Sequence, residues 1–144
     1  MLESLAGTWT GTNRLYFQPD VLAEESACVA TVKQLGTGPA VVHEYTWHFE
    51  GEEQRGVALV TESDGVLQGS WIDTFHTSSG LMDLAPVDGA EGIVLQGTYS
   101  VPDSDDWGWR IQWSKPSATE LRVTMWNVTP EGEAGIAVEQ TLRS

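Results

Sequence analysis

The sequence has few of the residues that stabilise small proteins through covalent or metal links. Its 144 residues include one cysteine, Cys28, which excludes an intrachain disulfide and a zinc site built on cysteines. The three histidines share neither a strand face nor a close spacing. We therefore expect no metal and no cofactor. The chain is long enough to be stabilised by an apolar core alone.

Basic residues are also scarce. Seven lysines and arginines stand against 21 aspartates and glutamates, which gives a formal net charge of −14. A surface this negative repels phosphate backbones and anionic lipid headgroups, so we expect neither a nucleic-acid partner nor a membrane partner. No apolar run reaches the length of a membrane-spanning helix.

The first residues, Met1 to Leu5, lack the basic start and the apolar run of a secretion signal. Together with the single cysteine, this predicts a cytoplasmic location. The length suits one domain, and we expect residues 1–144 to form it.

Tryptophan, by contrast, is abundant, with seven in the chain. Each indole offers a large apolar area and one hydrogen-bond donor, so this enrichment indicates a large core or a cavity lined by aromatic rings. Turn signals recur at short intervals and leave about ten strand-length segments between them. They include Gly36–Pro39, Glu50–Glu52, Ser63–Gly65, Ser78–Gly80, Pro102–Asp105 and Pro130–Gly132.

Side chains alternate between apolar and polar along several of these segments. The apolar or aromatic sets are Val41, His43, Tyr45, Trp47 and Phe49 in one segment and Trp107, Trp109, Ile111 and Trp113 in another. Alternation of this kind places one face of an antiparallel sheet on a core. We predict an all-β fold, a single antiparallel up-and-down barrel of about eight to ten strands. The segments 27–34 and 57–61 are equally apolar on both faces and give no orientation.

The opening Gly7-Thr8-Trp9 resembles the start of the calycin superfamily, which includes lipocalins and fatty-acid-binding proteins, and in particular small bacterial lipocalin-like proteins of unassigned function. The resemblance implies a lipocalin-like barrel whose short N-terminal plug closes the floor. Leu2 and Leu5 would form that plug under Trp9. It also implies a basic residue across the Trp9 ring, for which Arg143 is the candidate.

Two departures limit what the resemblance implies. Fatty-acid-binding proteins insert two helices after the first strand, whereas only residues 18–24 fill that position here. The haem-binding nitrobindins use a late histidine, and no histidine follows His76 in this chain. We therefore expect neither haem nor fatty-acid carriage under a helical lid.

Asp73 is the leading candidate for chemistry because its strand face also carries Trp71 and Phe75. A carboxylate among aromatic rings could bind a polar ligand atom or act as a general acid or base. The alternative is a rim residue, or one hydrogen-bonded to a buried tyrosine or the backbone. His43 is the second catalytic candidate, and its alternative is an ordinary satisfied polar group. His48 and His76 fall on polar faces, which predicts that both lie in solvent.

The aromatic residues have two interpretations, a solid core or the walls of a ligand cavity, because barrels of this size can be either. Analogy with the calycins favours the cavity. The predicted ligand-binding residues are Asn13, His43, Tyr45, Trp47, Trp71, Asp73, Tyr99, Trp109 and Trp113.

Three functional hypotheses follow. The leading one is a binding protein for a small apolar or aromatic molecule in the lumen. The second is an enzyme that uses Asp73, with His43 or Tyr45, on a small substrate. The third is a solid barrel that pairs with a second copy as a homodimer, favoured by the apparently outward Trp126.

Overall fold

Ten antiparallel strands close into one barrel in the computed structural model, which describes residues 1–144. Each strand pairs with its neighbours in sequence, and β1 pairs with β10 to complete the circle. The predicted all-β up-and-down barrel is confirmed. The strands are β1 (Gly7–Gln18), β2 (Val21–Gln34), β3 (Ala40–Phe49), β4 (Glu52–Ser63), β5 (Val66–Asp73), β6 (Met82–Pro86), β7 (Ile93–Tyr99), β8 (Trp107–Ser117), β9 (Glu120–Val128) and β10 (Ala134–Arg143).

Short turns join most of the strands where the sequence signals them. Glu50-Gly51 between β3 and β4 has φ values of 51° and 81°, and Asp64-Gly65 between β4 and β5 has 53° and 78°. Two consecutive left-handed residues form the hairpin turn whose twist matches that of the flanking strands. The β1–β2 connection is a turn at Pro19 and Asp20, without room for helices. No helix in the structure has the length and hydrophobicity to cross a membrane.

The structure orients the two strands that the sequence leaves undecided. In β2, Ala30 and Val32 are buried, while Val29 is 49% exposed. In β4, Ala58 and Val60 are buried, while the intervening leucine is exposed. The sequence pattern is ambiguous because apolar side chains also occupy the outer face, where alternation ordinarily places polar ones.

The last strand contains a β-bulge. The pairing of β10 with β9 shifts between Ile136 and Val138, and Ala137 and Val138 are both buried. An extra residue of this kind reverses the side-chain alternation on its two sides. Gln140 and Leu142 therefore point inward with Val138, whereas Ile136, which the sequence pattern places in the same set, is only half-buried.

A 3-10 turn, Leu2–Leu5, plugs one end of the barrel, which we name the closed end. Trp9 is 2% exposed there and donates its Nε1–H to the Leu5 carbonyl oxygen at 3.0 Å. Lys115 packs over the Trp9 ring, with Nζ 5.6 Å from the ring centroid. The expectation for Arg143 is wrong, because this residue follows the inward Leu142, is exposed and pairs with a glutamate of β9 instead.

The interior places large side chains beside small ones on neighbouring strands. Tyr45 on β3 fits against Gly56 on β4, and a Cβ atom at Gly56 would overlap with the tyrosine ring. Next to Gly56 along the same inward face lies Ala58, which is also small. Such pairing lets the indoles of the other strands fill the lumen without distorting the wall.

Candidate functional site

A cavity of about 500 Å³ lies at the end of the barrel opposite the plug, which we name the open end. Because strand directions alternate, the carboxyl ends of β5, β7 and β9 meet there. The cavity, named the mouth cavity below, is lined by Trp71, His76, Thr77, Gly80, Leu81, Met82, Thr98, Tyr99, Trp109 and Asn127. Its volume is within the range of pockets that hold a small organic molecule.

The mouth cavity reaches the surface beside the shortest strand. The ladder between β6 and β7 consists of two residue pairs, Ala85 with Gln96 and Pro86 with Leu95. Beyond that ladder, Met82 of β6 and Thr98 of β7 line the cavity from its two sides. The adjacent Leu81 is 66% exposed. The entrance therefore has an apolar edge.

Residues 74–81, which we name the mouth loop, carry His76 inward against the indoles. Its ring centroid lies 4.8 Å from that of Trp109 and 5.7 Å from that of Trp47. The expectation that His76 lies in solvent is wrong, since it is half-buried and its Nε2 is fully buried. Strand β5 ends at Asp73, so alternation does not apply three residues later. Burial lowers the pKa of His76.

Asp73 lies beside the mouth cavity, 1% exposed, and accepts four hydrogen bonds. Its Oδ2 accepts from the Tyr45 hydroxyl at 2.7 Å and from Trp47 Nε1 at 3.2 Å. Its Oδ1 accepts from the backbone N–H groups of Phe75 at 2.8 Å and His76 at 3.0 Å. The carboxylate thus ties the barrel wall to the mouth loop, which favours a structural role.

Tyr45 extends this network toward the cavity. Its hydroxyl oxygen accepts from Trp71 Nε1 at 3.0 Å while its own proton is donated to Asp73. Burial and the neighbouring carboxylate raise the pKa of Tyr45 well above its ordinary value, so the hydroxyl stays protonated. Trp71, fixed in this way, stacks on Trp109 with ring centroids 5.2 Å apart and planes 9° apart. The two hydrogen bonds and the stacking therefore fix the orientation of the Trp71 ring in the cavity wall.

His43 lies elsewhere in the interior, 1% exposed. Its Nδ1 accepts from Trp113 Nε1 at 3.0 Å, and its Nε2 is buried without a partner. Burial lowers the pKa of His43 to about 4, so the ring is neutral at pH 7. Asn13 Oδ1 accepts from Gln140 Nε2 at 3.0 Å across β1 and β10. No group of three or more His, Cys, Asp or Glu side chains is arranged to hold a metal ion.

The predicted site residues separate into two groups. Trp71, Tyr99 and Trp109 line the mouth cavity, which the alternation of their strands brings together. The remaining six are buried in the interior and do not line it, namely Asn13, His43, Tyr45, Trp47, Asp73 and Trp113.

Sequence reasoning missed several lining residues. His76 and Leu81 belong to the mouth loop, where no periodic signal predicts which side chains turn inward. Asn127 accepts a hydrogen bond from the Tyr99 hydroxyl at 2.5 Å and lies next to the outward Trp126. The break in alternation at Trp126 is the one sequence signal that points to this part of β9.

Comparison with known proteins identifies a family that the chain matches. No curated protein is significantly similar to the chain. The family described as "Protein of unknown function (DUF1579)" matches residues 1–143, which is nearly the whole barrel with its plug. The chain therefore belongs to the DUF1579 family.

Proposed function

We propose that this barrel binds one small apolar or aromatic molecule in the mouth cavity. The observation that carries the proposal is an opening of about 500 Å³ walled by Trp71, Trp109 and Tyr99 at one end of the barrel. Aromatic walls with a few polar groups characterise small-molecule pockets. The exposed Leu81 at the entrance gives an apolar ligand its first contact.

Rigidity of the wall supports the same function. Trp71 is fixed through Tyr45 to Asp73, at donor–acceptor distances of 3.0 Å and 2.7 Å. A wall that is ordered in advance loses little conformational entropy when a ligand binds, so more of the contact energy contributes to affinity. The network is therefore what a preformed aromatic site requires.

The hypothesis of catalysis by Asp73 has less support. Both carboxylate oxygens already accept two hydrogen bonds each, and Asp73 does not line the mouth cavity. An acid or base must reach the proton that it transfers. His43, the second candidate, also lies outside the cavity lining.

We further propose that the barrel is lipocalin-like, in the sense of the calycin resemblance of its Gly7-Thr8-Trp9 opening. The plug under Trp9 and the cationic Lys115 over its ring support this relationship. A cytoplasmic location is proposed with it, since Cys28 is a free and buried thiol.

The proposal is tested by titration with N-phenyl-1-naphthylamine, a neutral aromatic probe that fluoresces more strongly in an apolar site. We expect a saturable signal of one site per chain. In Thr98→Trp, a bulky side chain at an exposed position of the cavity lining should fill the entrance and weaken binding at least about tenfold, the effect of about 1.4 kcal/mol of lost contact energy.

Thr10→Trp is the matched control, because Thr10 is exposed on β1 near the closed end and adds the same indole far from the cavity. It should bind the probe as the unmodified protein does. A signal that does not saturate, or one that both variants leave equally strong, would refute binding in the mouth cavity.

A further inference from the structure

We propose that the ligand carries an uncharged hydrogen-bond acceptor, such as a ketone, ester or amide oxygen, which receives the Nε1–H of Trp109. The inference rests on the proposed function and names the chemical class that the mouth cavity selects. Its basis is one unpaired indole donor in the cavity wall, taken together with the charges around it.

Trp109 is the exception among the buried tryptophans. The four others donate their Nε1–H to a protein acceptor: Trp9 to Leu5, Trp47 to Asp73, Trp71 to Tyr45 and Trp113 to His43. Trp109 is 5% exposed, and its Nε1 is buried without a partner. A buried donor without an acceptor is unfavourable, and native proteins rarely keep one without a reason.

The hydrogen-bonding capacity of the indole nitrogen determines what kind of atom can pair with it. Trp Nε1–H can only donate, so its partner has to be an acceptor. Trp109 lines the mouth cavity and stacks on the fixed ring of Trp71, so a ligand lying in the cavity contacts the ring that carries this donor. No protein atom accepts from Trp109, since the nearby His76 Nε2 is itself unpaired, and a ligand would supply the acceptor.

His76 adds a second polar atom to the same wall. Its ring lies 4.8 Å from that of Trp109, and its Nε2 is buried without a partner. Burial lowers the pKa of His76, so at pH 7 the imidazole is neutral and Nε2 either donates or accepts one hydrogen bond. The cavity therefore offers hydrogen bonds but no positive charge on this residue.

The surrounding charges exclude an anionic acceptor. None of the lining residues is a lysine or an arginine, and the carboxylate of Asp73 bonds directly to the backbone of His76. The whole chain carries a net charge of −14. A carboxylate ligand would lose its hydration without meeting a cation. An ammonium group would suit the charge but has no lone pair with which to accept from Trp109.

The test is a competition of four naphthalene derivatives against N-phenyl-1-naphthylamine. They are 2-acetylnaphthalene, 2-ethylnaphthalene, 2-naphthoate and 2-(aminomethyl)naphthalene, which share one apolar body. The neutral ketone should bind about fivefold more tightly than the ethyl compound, as one net neutral hydrogen bond allows. Both charged compounds should bind more weakly than the ketone.

Two tryptophan variants locate the contact. Trp109→Phe removes the unpaired N–H and should make the ketone and the ethyl compound equal in affinity. Trp71→Phe is the matched control, since its N–H already serves Tyr45, and it should retain the preference for the ketone. If Trp109→Phe does not fold, the unmodified protein still decides the question through the NMR resonance of the Trp109 indole N–H.

That resonance should move downfield with the ketone and not with the ethyl compound. Equal binding of these two compounds by the unmodified protein, or tighter binding of naphthoate or of the ammonium compound, would overturn the acceptor proposal and leave the proposed function standing. Failure of the probe and of all four compounds to bind would overturn both.

Discussion

The two ends of this barrel each bury a tryptophan, but they differ in whether the indole N–H has a hydrogen-bond partner. At the closed end, Trp9 is 2% exposed and its Nε1–H is paired with the Leu5 carbonyl oxygen. At the open end, Trp109 is 5% exposed and its Nε1–H has no partner. The two indoles are buried almost equally, so what separates them is the completeness of their hydrogen bonding rather than their packing.

Under the proposed function, the comparison contrasts an end where polar atoms stabilise the fold with an end where unpaired polar atoms line a cavity. The plug supplies the missing acceptor for Trp9, and Lys115 covers its ring and donates to the Ser4 carbonyl oxygen. The mouth loop also packs on its end of the barrel, but it leaves polar atoms of His76 and Trp109 unpaired. Departures from full satisfaction of this kind are expected at functional sites.

The largest expected effect is at the closed end. Trp9→Ala should lower the free energy of unfolding by about 3–5 kcal/mol, because it removes a fully buried indole and leaves the Leu5 carbonyl unpaired. Chemical denaturation followed by circular dichroism measures this loss. Trp126→Ala, at a half-buried outer position, is the control and should cost distinctly less. Equal losses would contradict the role assigned to the plug.

The next effect is a pH dependence that arises at His43. Its pKa is about 4 in the folded protein and 6.5 as the ordinary value, so the unfolded chain takes up the proton first as the pH falls. The stabilisation from a neutral His43 is complete above pH 6.5 and is lost between pH 6.5 and pH 4. We expect this loss to total about 3 kcal/mol.

His43→Gln isolates that contribution, because the amide oxygen can still accept from Trp113 but does not titrate. The variant should be less stable at pH 7 and should show a flatter decline in unfolding free energy toward pH 4. Parallel pH profiles for the variant and the unmodified protein would assign the acid sensitivity to other groups.

The smallest of the three stability effects concerns Asp73. Asp73→Asn replaces one acceptor oxygen by an NH₂ group, which then opposes either the Tyr45 and Trp47 donors or the two backbone donors. We expect a loss of about 2 kcal/mol. Asp106→Asn, an exposed aspartate outside the strands, is the control and should be neutral. No loss at Asp73 would show that the network does not stabilise the open end.

The sequence predicted the barrel well because strands alternate and turns have chemical signals. The Trp107 to Trp113 segment and the Glu50-Gly51 turn are where the pattern predicts them. Alternation assigns a residue to the inner or the outer face of the barrel, but it does not show whether an inner residue lines a cavity or is packed in the core. It could therefore not distinguish Trp109, which lines the cavity, from Trp113, which is buried in the core.

The sequence could predict neither the path of the mouth loop nor which polar side chains pair with each other. His76 turns inward because the chain leaves the sheet at Asp73 and the His76 backbone N–H donates a hydrogen bond to the Asp73 carboxylate. Lys115 rather than Arg143 lies over the Trp9 ring, because the β-bulge before Val138 sets the alternation that turns Arg143 outward. Such choices depend on three-dimensional neighbours rather than on local composition.

The double attachment of Asp73 has a kinetic consequence. Lifting the mouth loop away from the barrel breaks the hydrogen bonds from the Phe75 and His76 backbones to Oδ1, while Oδ2 stays bound to the wall. Hydrogen bonds to a buried carboxylate are stronger than those between neutral groups, so this opening is a rare event compared with side-chain motion. We expect the Phe75 and His76 backbone N–H groups to exchange slowly with solvent, because their exchange requires this opening.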